Sequence, residues 1–477
     1  MQRPTDSHQT YTPVDATRVT RYVWGIAIVA ALGGLLFGYD WVVIGGARQF
    51  FEIYFHLGTA AAVGWANSCA LVGCFIGSLI AGTLGNQYGR RPVLLISAVL
   101  FAVSSVLTGW TFSFSMFIVW RIIGGIAIGL SSNISPLYIA EVSPASHRGR
   151  LVSLNQFAIV IGILLAQIVN WQIAAPVPEH VSTDVLLASW NVQLGWRWMF
   201  TAVAFPAMVF LVASFAIPES PRWLLLRGRT EQALKVLKKI GGSEKHALAE
   251  SQAISNALRE EETQKSNWVG LFQPGIRIIL LVGVLLAVLQ QWSGINILFN
   301  YAEEIFHAAG MGANQVFIDI VVTGAINLIF TLIAMAFVDR LGRRPLMLAG
   351  CIGVGLSHLL AGLAYHAGQK GALVLILTLC AIACYAMTLA PLTWVLIAEI
   401  FPNRVRSSGV SAAVCALWIS SFALTYSFPF INRSLGSAGT FFIYGVICLT
   451  GAVFVFFLVP ETKGRTLEEL EAKTIRS

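Results

Sequence analysis

Apolar residues run along this chain in long blocks separated by short polar punctuation, with neither the alternation of strands nor the narrow stripe of a surface helix. Blocks of about 20 residues match the thickness of a bilayer. Twelve are read: Tyr22–Gly45, Ala62–Leu84, Val93–Trp110, Phe114–Tyr138, Leu151–Trp171, Trp196–Ile217, Ile276–Tyr301, Val316–Val338, Leu346–Ala367, Leu373–Ile400, Val405–Ile431 and Thr440–Val459. An all-α membrane protein is the expected class. The division is a tail at 1–21, a six-helix half at 22–217, a linker at 218–275, a second six-helix half at 276–459 and a tail at 460–477.

Composition agrees. The 477 residues are 56% hydrophobic and only 11% charged, with a mean hydropathy of +0.73, whereas soluble proteins average about 25% charged. The opening 21 residues lack the apolar core and small-residue cleavage site of a signal peptide, so the first span is expected to direct insertion. All seven cysteines fall in apolar spans without Cys-x-x-Cys spacing and read as small packing residues.

The net charge of +8 does not point to nucleic acid, because the basic residues follow topology. "GRR" (89–91), "HRGR" (147–150), "PRWLLLRGR" (221–229), "GRR" (342–344) and "NRVR" (403–406) come after the even-numbered spans. The loop "WQIAAPVPEHVSTDVLLASWNVQL" has no Lys or Arg. The positive-inside rule then predicts that the basic loops and both termini are cytoplasmic.

The chain also repeats itself. "GNQYGRRPVLL" (85–95) is answered by "VDRLGRRPLML" (338–348), "AEVSPASHRGR" (140–150) by "AEIFPNRVRSS" (398–408), and "PESPRW" (218–223) by "PETKGR" (460–465). Two six-helix halves about an axis along the membrane normal, enclosing a central cavity, fit this order. Between them "TEQALKVLKKIGG" and "ALAESQAISNALREEETQKS" have the spacing of short amphipathic helices. No Walker A loop, metal-ligand cluster or nucleophile elbow is found, so neither an enzyme nor a cofactor is expected.

Polar groups inside the spans carry the candidate chemistry. Asp40 and Arg121 are formal charges well inside first-half spans, where each costs about 2.5 to 3.5 kcal/mol on insertion scales. Two readings stand: a static pair that fixes packing, or a pair whose making and breaking loads and unloads a proton. In "LQQWSGINILFNY" (289–301), Gln291 and Asn296 lie about 140° apart on an ideal helix. A break at Gly294 would bring Gln290, Gln291 and Asn296 together on one ligand, and amides suit sugar hydroxyls. Hydrogen bonding within the bundle is the other reading. At the basic loops, Arg90, Arg91, Arg343 and Arg344 face Glu141 and Glu399, as a clamp between the halves or as simple anchoring.

The paired "GRR" loops, "PESPRWL", "PETKGRTLEEL", "QQWSGIN" and "RIIGGIAIG", in order from about Arg21 to Leu470, resemble the sugar porter family of the major facilitator superfamily. The resemblance implies a monosaccharide transporter working by alternating access. It places Gln156, Gln290, Gln291, Asn296, Asn327 and Trp394 at the sugar, with Trp418 beside them and Phe37 and Tyr39 lining the cavity. It also implies a cytoplasmic gate of Glu141, Arg150, Glu399, Arg404 and the four loop arginines.

Proton-coupled members resemble this chain in having Asp at position 40 and Arg in the fourth span, where mammalian facilitators have Asn for the Asp; symport is therefore expected. A uniporter and a non-transporting sugar sensor are the alternatives. Departures from the family include Asn300-Tyr301 for a Tyr-Tyr pair of the outer gate, and Leu417, Ser421 and Ile163 at positions where relatives vary. They leave pentose or hexose open. The expected setting is a bacterial inner membrane, with sugar, protons and lipid as partners and the monomer as the working unit.

Overall fold

A computed structural model describes residues 21–177, 183–263, 269–273, 276–402 and 405–461. Arg404, most of the amino-terminal tail and nearly all of the carboxy-terminal tail lie outside the described residues. The described backbone is almost wholly helical. Five spans make up most of the first half: α1 (Arg21–Tyr54), α2 (Ala60–Tyr88), α3 (Arg90–Gly109), α4 (Phe114–Val142) and α5 (Arg148–Ile173). The sixth, α6, is Val185–Ala216. The second half has α7 (Ile276–Asn300), α8 (Ala313–Leu341), α9 (Arg343–His366) and α10 (Ala372–Ile400). A continuous stretch, Arg406–Leu458, closes it and turns at Gly436, whose φ of 66° ends α11 (406–435) and begins α12 (437–458).

Several helices outrun the apolar blocks that announce them, α1 reaching Tyr54 rather than Gly45. The sixth span begins earlier than its apolar pattern, because "SWNVQLG" looks like a loop but winds as a π-helical turn at Asn191–Gly195. Asn191 secures that turn. Its amide donates to the carbonyl of Ala175 and its oxygen accepts from the Ala175 N–H, each at 2.8 Å, a side chain pairing as backbone would.

Helices alternate in direction, so the molecule has two ends. One, here the basic end, carries the "GRR" loops and the start of α1; the other is the far end. Beyond α6 three short helices follow, Pro221–Leu226, Thr230–Gly241 and Glu244–Thr263. Ser220 caps the first by accepting from the N–H of Trp223, and Gly242 ends the second in the left-handed region with φ 73°. Trp223 and Arg227 then fasten this group to the α2 terminus by donating to the carbonyls of Asn86 and Gln87 at 2.9 Å.

Candidate substrate pathway and coupling site

The seventh span breaks where its glycine predicts. Gly294 has φ 84° and the ring of Tyr444 lies 2.8 Å from where a Cβ would stand, so conformation and space both require glycine. Across the break the amides join in a chain: Gln291 donates to Gln290 Oε1 at 3.0 Å, and Asn296 donates to Gln291 Oε1. Gln290 reaches on to the Ala390 carbonyl of α10 at 3.5 Å. The interruption frees the carbonyl of Ser293, which accepts from His358 Nε2 at 2.8 Å. His358 is buried on α9, and the carbonyl partner fixes the proton on Nε2.

The tenth span is interrupted as well. Thr388 leaves helical conformation with φ −131° and ψ −83°, three residues before Pro391, whose ring would strike the carbonyl of Met387 in an unbroken helix. Trp394 follows the break and is 40% exposed.

Aromatic rings form a second group across the halves. Phe37 and Trp41 on α1 meet Trp418 on α11 with centroids 6.2 and 6.1 Å from it, and the Trp418 indole N–H is buried without an acceptor. An apolar platform with an unused donor suits a pyranose face and one hydroxyl. Gln156 on α5 is half-buried and Asn327 on α8 is buried. Among the described residues, no hydrogen bond ties Gln156, Asn327 or Trp394 to the amide chain.

Asp40 meets Arg121. Arg121 Nη1 of α4 donates to Asp40 Oδ1 of α1 at 3.0 Å, with side chains 3% and 5% exposed respectively. The match is incomplete: Asp40 Oδ2 and Arg121 Nε are buried without partners. A half-satisfied ion pair in a dry site is weakly held in that geometry, because desolvation offsets much of the attraction.

At the basic end, Arg90 grips Glu141 bidentately at 2.9 Å and also reaches the Gly85 carbonyl at 2.8 Å and Asn86 Oδ1 at 3.3 Å. Ser220 donates to the same glutamate at 2.6 Å. In the second half the equivalent pair, Arg343 and Glu399, stands at 3.8 Å. Both pairs lie within one half, joining α3 to α4 and α9 to α10.

Arg91 and Arg344 do not face the glutamates as the motif suggests. Each turns to close the last carbonyls of a neighbouring span: Arg91 donates to Ser214 and Phe215 at 3.2 and 2.6 Å, and Arg344 to Phe456. The reason is that α6 and α12 end here with carbonyls lacking helical partners. Arg150 is exposed in the first turn of α5, with no ion pair among the described residues.

Two residues the motifs left unassigned complete this end. Glu219 accepts from the backbone N–H groups of Arg90 and Arg91 at the start of α3, and Glu461 accepts from those of Arg343 and Arg344 at the start of α9. A carboxylate at a helix N-terminus meets both free donors and the positive end of the dipole. Their signal in the sequence is the duplicated Pro-Glu of "PESPRW" and "PETKGR". Burial pushes the Glu219 carboxyl above its ordinary range, against the pull of the N–H groups of Ser220, Arg90 and Arg91.

Hydrogen bonds and ion pairs that the described residues place across the two halves sit toward the far end. Gln167 donates to Thr323, Val177 to Asn314, Arg433 to the Gly58 carbonyl, and Arg48 to Glu303 and Glu304. The halves therefore meet at the far end.

A family model described as "Sugar (and other) transporter" matches residues 26–473. The chain belongs to this sugar transporter family. It is 38% identical to the D-xylose-proton symporter of Escherichia coli K12, over 94% of this chain and 95% of the relative. With the arabinose-proton symporter of Bacillus subtilis 168 it shares 36% identity over 97% of each. The xylose transporter XylE of E. coli in its inward open conformation superposes with a TM-score of 0.83 at 37% identity, covering 95% of this chain and all of that one. XylE bound to 6-bromo-6-deoxy-D-glucose, described as a major facilitator superfamily proton:xylose symporter, gives 0.77 at 36% identity. The higher score with the inward open form accords with halves that meet at the far end.

Proposed function

We propose that this protein is a proton-coupled monosaccharide symporter of the plasma membrane that works by alternating access, with its basic end in the cytoplasm. The observation that carries the coupling is the buried pair of Asp40 and Arg121, joined by one hydrogen bond and leaving an oxygen and a nitrogen unmatched. Protonation of Asp40 removes its attraction for Arg121 and lets α1 shift against α4. The proton then leaves when the cavity opens to the cytoplasm, and the pair re-forms. Family membership and the named sugar-proton symporters among the relatives support this reading.

The sugar occupies the space between the halves. Gln290, Gln291 and Asn296 exchange their mutual hydrogen bonds for hydroxyls, so binding replaces partners rather than exposing unmet groups. Phe37, Trp41 and Trp418 supply the apolar face, and Gln156, Asn327 and Trp394 complete the lining from α5, α8 and α10. Pairs at the basic end, Arg90 with Glu141 and Arg343 with Glu399, supported by Arg150 and Arg404, regulate closure of the cytoplasmic mouth. A single chain carries both halves and acts as a monomer.

The test is uptake of labelled xylose, arabinose and glucose into proteoliposomes under an imposed proton gradient. Accumulation above the outside concentration that collapses with a protonophore is expected for at least one sugar. Equilibration without accumulation would establish a facilitator instead.

A further inference from the structure

At the far end, Arg48 of α1 is surrounded by residues of the opposite half. Its side chain is 5% exposed, Nη1 donates to Glu304 Oε2 at 2.6 Å and Nη2 to Glu303 Oε2 at 3.2 Å. The guanidinium lies 4.8 Å from the centre of the Tyr301 ring, and Glu52 on its own helix stands 3.7 Å away. Asn432 of α11 donates to the other oxygen of Glu304, holding that carboxylate toward Arg48. The backbones are close too: a Cβ on Gly45 would strike the carbonyl of Phe299.

We propose that Arg48, with Glu303 and Glu304, is the latch that holds the far gate shut. This rests on the alternating-access reading. Opening the far end would carry α1 away from the short helix Ala302–Ala308, parting Arg48 from both glutamates and wetting all three. Re-closing dehydrates them together. The cost of burying the charges is then offset by their attraction and by the Asn432 contact to Glu304, so the complete latch holds the gate closed while a change elsewhere in the cycle can still part it. Without the arginine, closing would bring Glu303 and the partly exposed Glu304 against Glu52 with no counter-charge, and the gate would stand open. Tyr301 contributes its ring to Arg48 and donates its hydroxyl to the Thr425 carbonyl at 3.0 Å, tying α7 to α11 beneath the latch.

Spin labels at Gly58 and Leu435, both exposed at the far end, report the gate by double electron-electron resonance, with the exposed Cys380 replaced by Ser. Wild type in detergent should show mainly the short distance. Arg48→Gln should make the long distance the dominant population, while net uptake falls and counterflow is lost with it. Neutralising the whole cluster, Arg48→Gln with Glu52→Gln, Glu303→Gln and Glu304→Gln, should restore the short distance, because no carboxylate is then left without its counter-charge. That rescue separates a latch from a residue needed only for folding. A short distance retained in Arg48→Gln, or a fully neutralised variant as open as the single one, overturns the latch. Far-end distances in wild type that no sugar or pH condition moves would overturn alternating access itself.

Discussion

His358 donates to the carbonyl of Ser293 across 2.8 Å, and this bond lets the seventh span break without leaving a bare carbonyl in the bundle. Gly294 creates the turn, Tyr444 fills the space beside it, and His358 satisfies the backbone so exposed. Removing the imidazole leaves this buried acceptor with only the weak Cys448 thiol donor at 3.7 Å, which costs up to about 1 to 3 kcal/mol. His358→Ala should therefore lower thermal stability and weaken sugar binding together, since the amides are set by the same break. Scanning calorimetry with and without sugar checks both, and an unchanged affinity would detach the break from the binding site.

Within the amide chain, Gln291 holds the centre: it donates to Gln290 and accepts from Asn296. Gln291→Ala should weaken sugar binding more than Gln290→Ala or Asn296→Ala, each of the latter costing about 1 to 3 kcal/mol. Titration calorimetry on the three variants ranks them. Equal losses would mean that each amide meets the sugar alone.

The basic-end pairs should be unequal. The Glu141 side chain is 5% exposed, held bidentately by Arg90 and again by Ser220, whereas that of Glu399 is 32% exposed and 3.8 Å from Arg343. Breaking a buried, closely held pair costs about 3 to 5 kcal/mol, and a longer, partly exposed one less. Glu141→Gln should thus destabilise far more than Glu399→Gln in denaturation midpoints. Comparable losses would show that the second pair is tighter in another state of the cycle.

Glu219 gives a pH signature outside the bilayer. A carboxyl raised by folding binds more protons in the native state than in the unfolded one, so stability rises as pH falls through the window just above the ordinary glutamate range. Wild type should gain stability in that window relative to Glu219→Gln, which cannot titrate. Parallel pH profiles for the two proteins would assign no net shift to this group.

Much of this architecture was legible from the order of residues. Apolar blocks set the spans, duplicated words set the halves, and Gly294 between Gln291 and Asn296 announced a break. What the sequence hid depends on where distant helices meet. Trp41 beside Asp40 looks like any lipid-facing aromatic until Phe37 and Trp418 are placed against it. Arg48 stands 255 and 256 residues from Glu303 and Glu304, and only the meeting of the two halves brings them within 3.2 Å. Arg91 and Arg344 share a motif with Arg90 and Arg343 yet serve helix ends, because adjacent positions on a helix point about 100° apart.

The coupling pair allows the sharpest test. Asp40→Asn keeps the size of the side chain and an oxygen that can accept from Arg121, but it cannot carry a proton. Residue 40 then stays in the neutral condition that permits the halves to rock. Sugar counterflow without a gradient should persist, since the amides on α7 are untouched, while accumulation under an inward proton gradient should be lost. Arg121 is left buried without its counter-charge, so expression and thermal stability must be measured first, with a loss on the scale of about 3 to 5 kcal/mol as the upper expectation. Concentrative uptake that survives in a folded Asn variant would move the proton to another residue and leave Asp40 as a packing pair alone.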